Sequence, residues 1–256
     1  MATFQVVNTL GSGPGTLHRA INLANDSPGA DTITFNIPGD GNHQIPVIGF
    51  YGTIIKGKVT IDGYTQPGSA RNTSADPAVN NARITVSLKN TAPPGPGLVV
   101  WGRRASGSQL RGLSFVNADP YGSQSGIEVR NADYVTIDGC AFTSTGRARL
   151  SQAVIIRNAD HNTIGGNVDW TPALQNVMSR YDVGVELIGS SQHNAIVSNL
   201  IGGEPEQSEN PIQKVGVLIQ RSSRNNTIAR NILFKNITPL RIESTNVIED
   251  NTIVPR

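Results

Sequence analysis

The stretch GVELIGSSQHNAIVSN, residues Gly184–Asn199, decides the fold, because Gly216–Asn231, GVLIQRSSRNNTIARN, repeats its phase almost position for position. Each copy opens on a glycine and a short apolar strand, turns through a polar corner, and closes on a second strand that ends in asparagine. The opening strand recurs as Gly97-Leu-Val-Val, Gly126-Ile-Glu-Val, Ala153-Val-Ile-Ile and Pro239-Leu-Arg-Ile, at intervals of 23 to 32 residues. A period of that size without helical patterning predicts a β-solenoid.

The second strand recurs with it, as Tyr134-Val-Thr-Ile-Asp-Gly-Cys, His161-Asn-Thr-Ile-Gly-Gly-Asn, His193-Asn-Ala-Ile-Val-Ser-Asn and Asn225-Asn-Thr-Ile-Ala-Arg-Asn. Alignment puts Ile137, Ile164, Ile196 and Ile228 in one column and Cys140, Asn167, Asn199, Asn231 and Asn251 in another. Asparagines stacked at a bend can bond side chain to side chain along the axis and so satisfy their buried amides. Alternation in the opening strand turns Ile127, Val129, Val185 and Leu187 inward and Glu128, Arg130 and Glu186 outward.

These residues resemble the right-handed parallel β-helix (pectate-lyase-like) repeat proteins of bacterial and phage surfaces. Val7–Asn25 and Gly29–Gly39 resemble the capping segment of such proteins, and Val59-Thr-Ile-Asp-Gly-Tyr-Thr-Gln-Pro-Gly resembles a first full coil. The resemblance implies an all-β, single-stranded right-handed parallel β-helix with a short N-terminal amphipathic capping helix. It divides one continuous domain into a cap with first strands, 1–58, and coils, 59–256. It implies little about activity, since lyases, hydrolases, adhesins and phage spikes share the scaffold.

The cap has a local physical reason. Thr16 suits an N-cap, and Leu17, Ala20, Ile21 and Ala24 fall at i, i+3, i+4 and i+7, giving a helix over 16–26 with one apolar face. Such a helix covers the open end of a solenoid, whose first coil otherwise exposes unpaired backbone. No comparable segment follows Ile253, so the C-terminal end is expected to be covered by another subunit, in a homo-oligomer or with a partner, or to have been trimmed.

Composition fits one solenoid: 27 glycines and 15 prolines supply corners, and aromatics are scarce at 5%. A net charge of +2 gives no case for nucleic acid. No apolar run is long enough to span a membrane. No signal peptide is visible, which suits a mature exported protein or a phage structural protein; the expected location is extracellular, cell-surface or virion. Cys140 is the lone cysteine, read as a buried structural thiol. No cofactor and no metal is expected: His161 and His193 fall in equivalent positions and stack, but two histidines do not complete a metal site. Asp62 and Asp138, each before a glycine, read as corner residues.

Two groups of residues carry the functional expectations. On the opening strands Glu128 and Glu186 lie two coils apart, about 9–10 Å at the strand spacing, near the upper limit for an inverting glycosidase pair, with Arg130 and Arg157 beside them. These four are the catalytic candidates, although Ile155 stands between the carboxylates. Arginines also gather at Arg103, Arg104, Arg111, Arg147 and Arg149, a solvated face or a site for anionic polysaccharide. Insertions at Gly63–Asn81, Asn117–Ser125, Val168–Asp182 and Gly202–Lys214 interrupt the repeat, and solenoids place function in such loops. In the third, Leu174 and Met178 predict a short helix packed on the flank. Trp170, Arg180 and Tyr181, with Arg103 and Arg104, are the binding candidates for a sugar or a subunit contact.

Three functions follow: a non-catalytic surface or virion module binding a polysaccharide, surface glycan or neighbouring protein; a lyase or glycosidase acting on an acidic polysaccharide; and an architectural capsid or sheath component.

Overall fold

Short segments of alternating apolar and polar residues form strands with one face to bury, and this chain buries it by stacking turn upon turn. The computed structural model describes residues 1–47, 53–90, 95–117, 125–144, 151–167, 171–202 and 213–255. Each complete turn contributes one strand to each of three parallel sheets, while Thr3–Val6 precedes the first complete turn and the last two strands, Val247–Glu249 and Thr252–Val254, have no third-sheet companion among the described residues. The first sheet contains Thr3–Val6, Asp31–Phe35, Val59–Asp62, Gln109–Arg111, Thr136–Asp138, Thr163–Gly165, Ala195–Val197, Thr227–Ala229 and Val247–Glu249, in that spatial order. The second runs from His43–Val47 to Thr252–Val254, and the third from Thr53–Ile55 to Thr238–Ile242. The architecture is a single-stranded right-handed parallel β-helix with a short N-terminal helix. Residues 31–55 supply the first complete turn, after the Thr3–Val6 strand of the first sheet.

The core is a set of inward columns. Ile33, Ile61, Leu110, Ile137, Ile164, Ile196 and Ile228 follow one another in register in the first sheet, and all are fully buried. Leu98, Ile127, Val154, Val185 and Val217 do the same in the third. In the second sheet Phe115 and Phe142 stack with ring centroids 4.9 Å apart. The glycines at the opening of four third-sheet strands, Gly97, Gly126, Gly184 and Gly216, answer to this stacking. A Cβ at Gly97 would stand 2.8 Å from the Gly126 carbonyl oxygen, and one at Gly126 2.7 Å from that of Ala153. The backbones approach too closely there for most side chains.

Two asparagine ladders hold the corners. In one, Asn176 Nδ2 donates to Asn199 Oδ1 at 3.0 Å, Asn199 to Asn231 at 2.9 Å, and Asn231 to Asn251 at 2.9 Å. Asn167, expected in this column, is exposed and takes no part in it. An insertion containing the 3-10 turn Pro172–Leu174 separates it from the next strand, so Asn176 reaches the ladder position and its Oδ1 accepts from Cys140 N. The second ladder, unread in the sequence, runs Asn162, Asn194, Asn226 and Asn246, with side-chain bonds of 2.9 to 3.0 Å. Leu174 and Met178 do not share a helix: Leu174 ends the 3-10 turn, and Met178 is buried within the strand Val177–Ser179.

The helix Leu17–Asp26 caps the N-terminal end, burying Leu17, Ala20, Ile21 and Ala24, while Thr16 Oγ1 accepts from Arg19 N at 3.2 Å. Its Asn25 satisfies the edge of the third sheet, donating to Ile54 O at 2.8 Å and accepting from Lys56 N at 2.7 Å. At the other end Val247, Ile248 and Ile253 remain about half exposed.

Candidate functional site

Strand register aligns the outward residues of the third sheet into two columns. One reads Ile54, Val99, Glu128, Ile155, Glu186, Leu218, Arg241, and the other begins Trp101, Arg130, Arg157, Ile188. All four catalytic candidates therefore lie on one face. Glu128 is only 4% exposed because guanidinium groups cover it. Its Oε1 accepts from Arg130 Nε at 3.0 Å, Arg130 Nη2 at 2.8 Å and Arg157 Nε at 2.8 Å. All three of these N–H bonds fall on the same carboxylate oxygen. Glu186 is held differently, by Gln152 Nε2 on Oε2 at 3.0 Å and Gln220 Nε2 on Oε1 at 2.8 Å. Ile155 separates the two carboxylates, and Ile188 neighbours Arg157 in the second column.

At the N-terminal end of this face lies a pocket of about 260 Å³ lined by Ile54, Pro96, Val99, Trp101, Glu128 and Arg130. Trp101 is 45% exposed, and Lys56 Nζ sits 5.9 Å from its ring centroid. Arg103 and Arg104 follow on the adjoining 3-10 turn, both exposed, and Arg104 reaches Asn25 O of the capping helix. Trp101 is the residue that sequence reasoning passed over. Its outward position at the head of the arginine column was legible from the strand alternation, but the pocket beside it was not.

Of the remaining binding candidates, Arg180 and Tyr181 do not line this pocket. Tyr181 is fully buried and its hydroxyl has no hydrogen-bond partner among the described residues, so its ring cannot serve as a surface platform. Arg180 is exposed with φ of 63°, at the corner before the third-sheet strand. Trp170, Arg147 and Arg149 lie outside the described residues. Cys140 is buried, and burial pushes its thiol pKa well up. His161 and His193 stack at 5.1 Å, and Tyr134 continues the stack at 4.9 Å.

Asp62 and Asp138 do more than turn corners. In the first sheet they flank Arg111, whose Nη2 donates to Asp62 Oδ2 at 2.7 Å, while Asp138 accepts from Gln109 at 2.8 Å. Gly139 has the positive φ expected after Asp138, but Gly63 does not; a Cβ at Gly63 would collide with the Gly112 carbonyl. Burial raises the Asp138 pKa, with Gln109 and Arg111 opposing the shift. Tyr64 covers this row, its phenol likewise shifted upward by burial.

Fold and face together define a parallel β-helix with a pocket beside Trp101 and Arg130 at one end of its third sheet. No protein-family model matches the chain, and no curated protein matches it. Among solved structures it is similar to an alginate lyase from Paenibacillus sp. str. FPU-7, at 12% identity over 98% of this chain and 95% of that one, TM-score 0.37. It is also similar to PfbA, a surface adhesin of Streptococcus pneumoniae, at 9% identity over 99% and 92%, TM-score 0.32. A third is the A-module of an Azotobacter vinelandii mannuronan C-5 epimerase, at 10% identity over 100% and 96%, TM-score 0.28. At these values the likenesses carry no argument about activity.

Proposed function

We propose that the outer face of the third sheet binds an acidic glycan without cleaving it, as part of a module that works outside the cell or on a virion. The observation that carries this reading is the pocket beside Trp101. It joins an exposed indole, on which a sugar ring can stack, to the guanidinium group of Arg130, and Arg157 follows Arg130 in the same column. Those side chains are 43% and 39% exposed, whereas the Glu128 carboxylate beneath them is 5% exposed, so a ligand meets donors first. Planar guanidiniums suit carboxylates and sulfates. Glu128 serves here as the anchor that fixes both arginines.

Calorimetric titration with acidic oligosaccharides, paired with chromatography of the same samples, tests this. Binding is expected without shortened products, and Trp101→Ala or Arg157→Ala should weaken it about ten-fold or more. Release of shorter oligosaccharides would make the face catalytic. Undiminished binding by Trp101→Ala would place the site elsewhere.

A further inference from the structure

Asp31 opens the first complete turn of the first sheet and is 2% exposed. Its Oδ1 accepts from the Ala2 backbone N–H at 2.6 Å, shorter than the usual amide distance, while its Oδ2 is buried without a hydrogen-bond partner among the described residues. No lysine, arginine or histidine among the described residues forms an ion pair with it. A carboxylate taken out of water is ordinarily paired or saturated with donors, and one amide does neither. What this carboxylate lacks is a cation, and the atom already in bonding contact with it is the Ala2 nitrogen.

Ala2 is held there by the sheet and not by Met1. Thr32 N donates to Ala2 O at 2.9 Å, and parallel register with Asp31–Phe35 begins at the next residue, Thr3 opposite Thr32. Met1 is 94% exposed. We infer that the Met1–Ala2 peptide bond is a processing site, and that the working chain seats a free Ala2 ammonium on Asp31. Hydrolysis breaks the C–N bond: the hydroxyl of water goes to the Met1 carbonyl carbon, its proton goes to the Ala2 nitrogen, and a second proton from solvent completes the ammonium. One neutral N–H thereby becomes a positive charge with three N–H donors, enough to engage both carboxylate oxygens in charge-assisted bonds. The small Ala2 side chain suits an aminopeptidase that takes methionine from in front of small residues, and any hydrolase that frees the same nitrogen gives the same pair. The ion pair fastens Thr3–Val6, the strand at the end of the first sheet, where backbone pairing runs on one side only.

Two full-length proteins released from a cleavable fusion, one beginning at Met1 and one at Ala2, test this. The Ala2 form should melt about 2 °C or more above the Met1 form. Asp31→Asn, which keeps the shape and removes the charge, should abolish that gap. A second measurement needs no variant: the α-amine of the native Ala2 form should react with an amine-selective acylating reagent about ten-fold more slowly than after unfolding in urea, because an ammonium paired with a carboxylate gives up its proton less readily. Mass spectrometry of protein expressed without the fusion should find Met1 removed. Equal melting of the two forms, or a gap that survives Asp31→Asn, would overturn the ion pair. Met1 retained on the unfused protein would overturn the processing.

Discussion

Tyr64 reaches across two coils of the first sheet and donates its hydroxyl hydrogen to the Gly139 carbonyl oxygen at 2.7 Å, although 75 residues separate them in sequence. The ring lies over Gly112 and ends against Gly139, and a Cβ at either glycine would stand within 2.6 to 2.7 Å of Tyr64. Gly139 also has φ of 57°, where a side chain adds strain. Gly139→Ala should therefore cost about 1–3 kcal/mol, and Tyr64→Phe about 1 kcal/mol through the lost hydrogen bond. Urea unfolding of both variants gives the comparison, and a Gly139→Ala protein as stable as wild type would contradict the contact.

Ile196 lies fully buried between Ile164 and Ile228 in the longest inward column. Placing a carboxylate there removes apolar burial and leaves an unpaired charge in the core, a combination that exceeds about 4 kcal/mol. Ile196→Asp should fail to accumulate as soluble folded protein. Circular dichroism of any recovered material should lack the strand signal.

The asparagine ladder gives a paired test of register. Asn199 accepts from Asn176 and donates to Asn231 and to the Ile164 carbonyl, all buried. Asn199→Leu strands these partners and should cost about 3 kcal/mol or more. Asn167→Ala, at an exposed corner, should stay within about 0.5 kcal/mol of wild type. Thermal denaturation of the two variants separates the observed ladder from the one that simple alignment suggests.

Asp138 sets an expectation for pH. Its pKa is raised in the fold, chiefly by burial, so the folded protein holds this proton more tightly than the unfolded chain does. The stabilising contribution is present below the unfolded value, about pH 4, and is lost as pH rises through the folded one. The melting temperature of wild type minus that of Asp138→Asn should therefore fall as pH increases across this range. A difference that stays flat with pH would show that Asp138 titrates as an ordinary carboxylate.

Much of this protein was determined by sequence alone, because a solenoid converts near-constant spacing into register. The recurring phase of strand, corner and strand places Ile137, Ile164, Ile196 and Ile228 in one column, and Glu128, Ile155 and Glu186 in another. The capping helix was legible for the same reason, since i, i+3 and i+4 spacing is local. Tertiary structure decided whatever depends on insertions and on the directions of side chains at corners. The insertion before Asn176 removes Asn167 from the ladder, and Tyr181 turns into the core although its neighbours are polar. Arg130 and Arg157 converge on one oxygen of Glu128, while Glu186, the same residue type in the same column, is bonded by the Gln152 and Gln220 amides among the described residues. Column membership follows from counting residues, but charge at a site follows from which long side chains bend toward it, and that is settled by packing between coils.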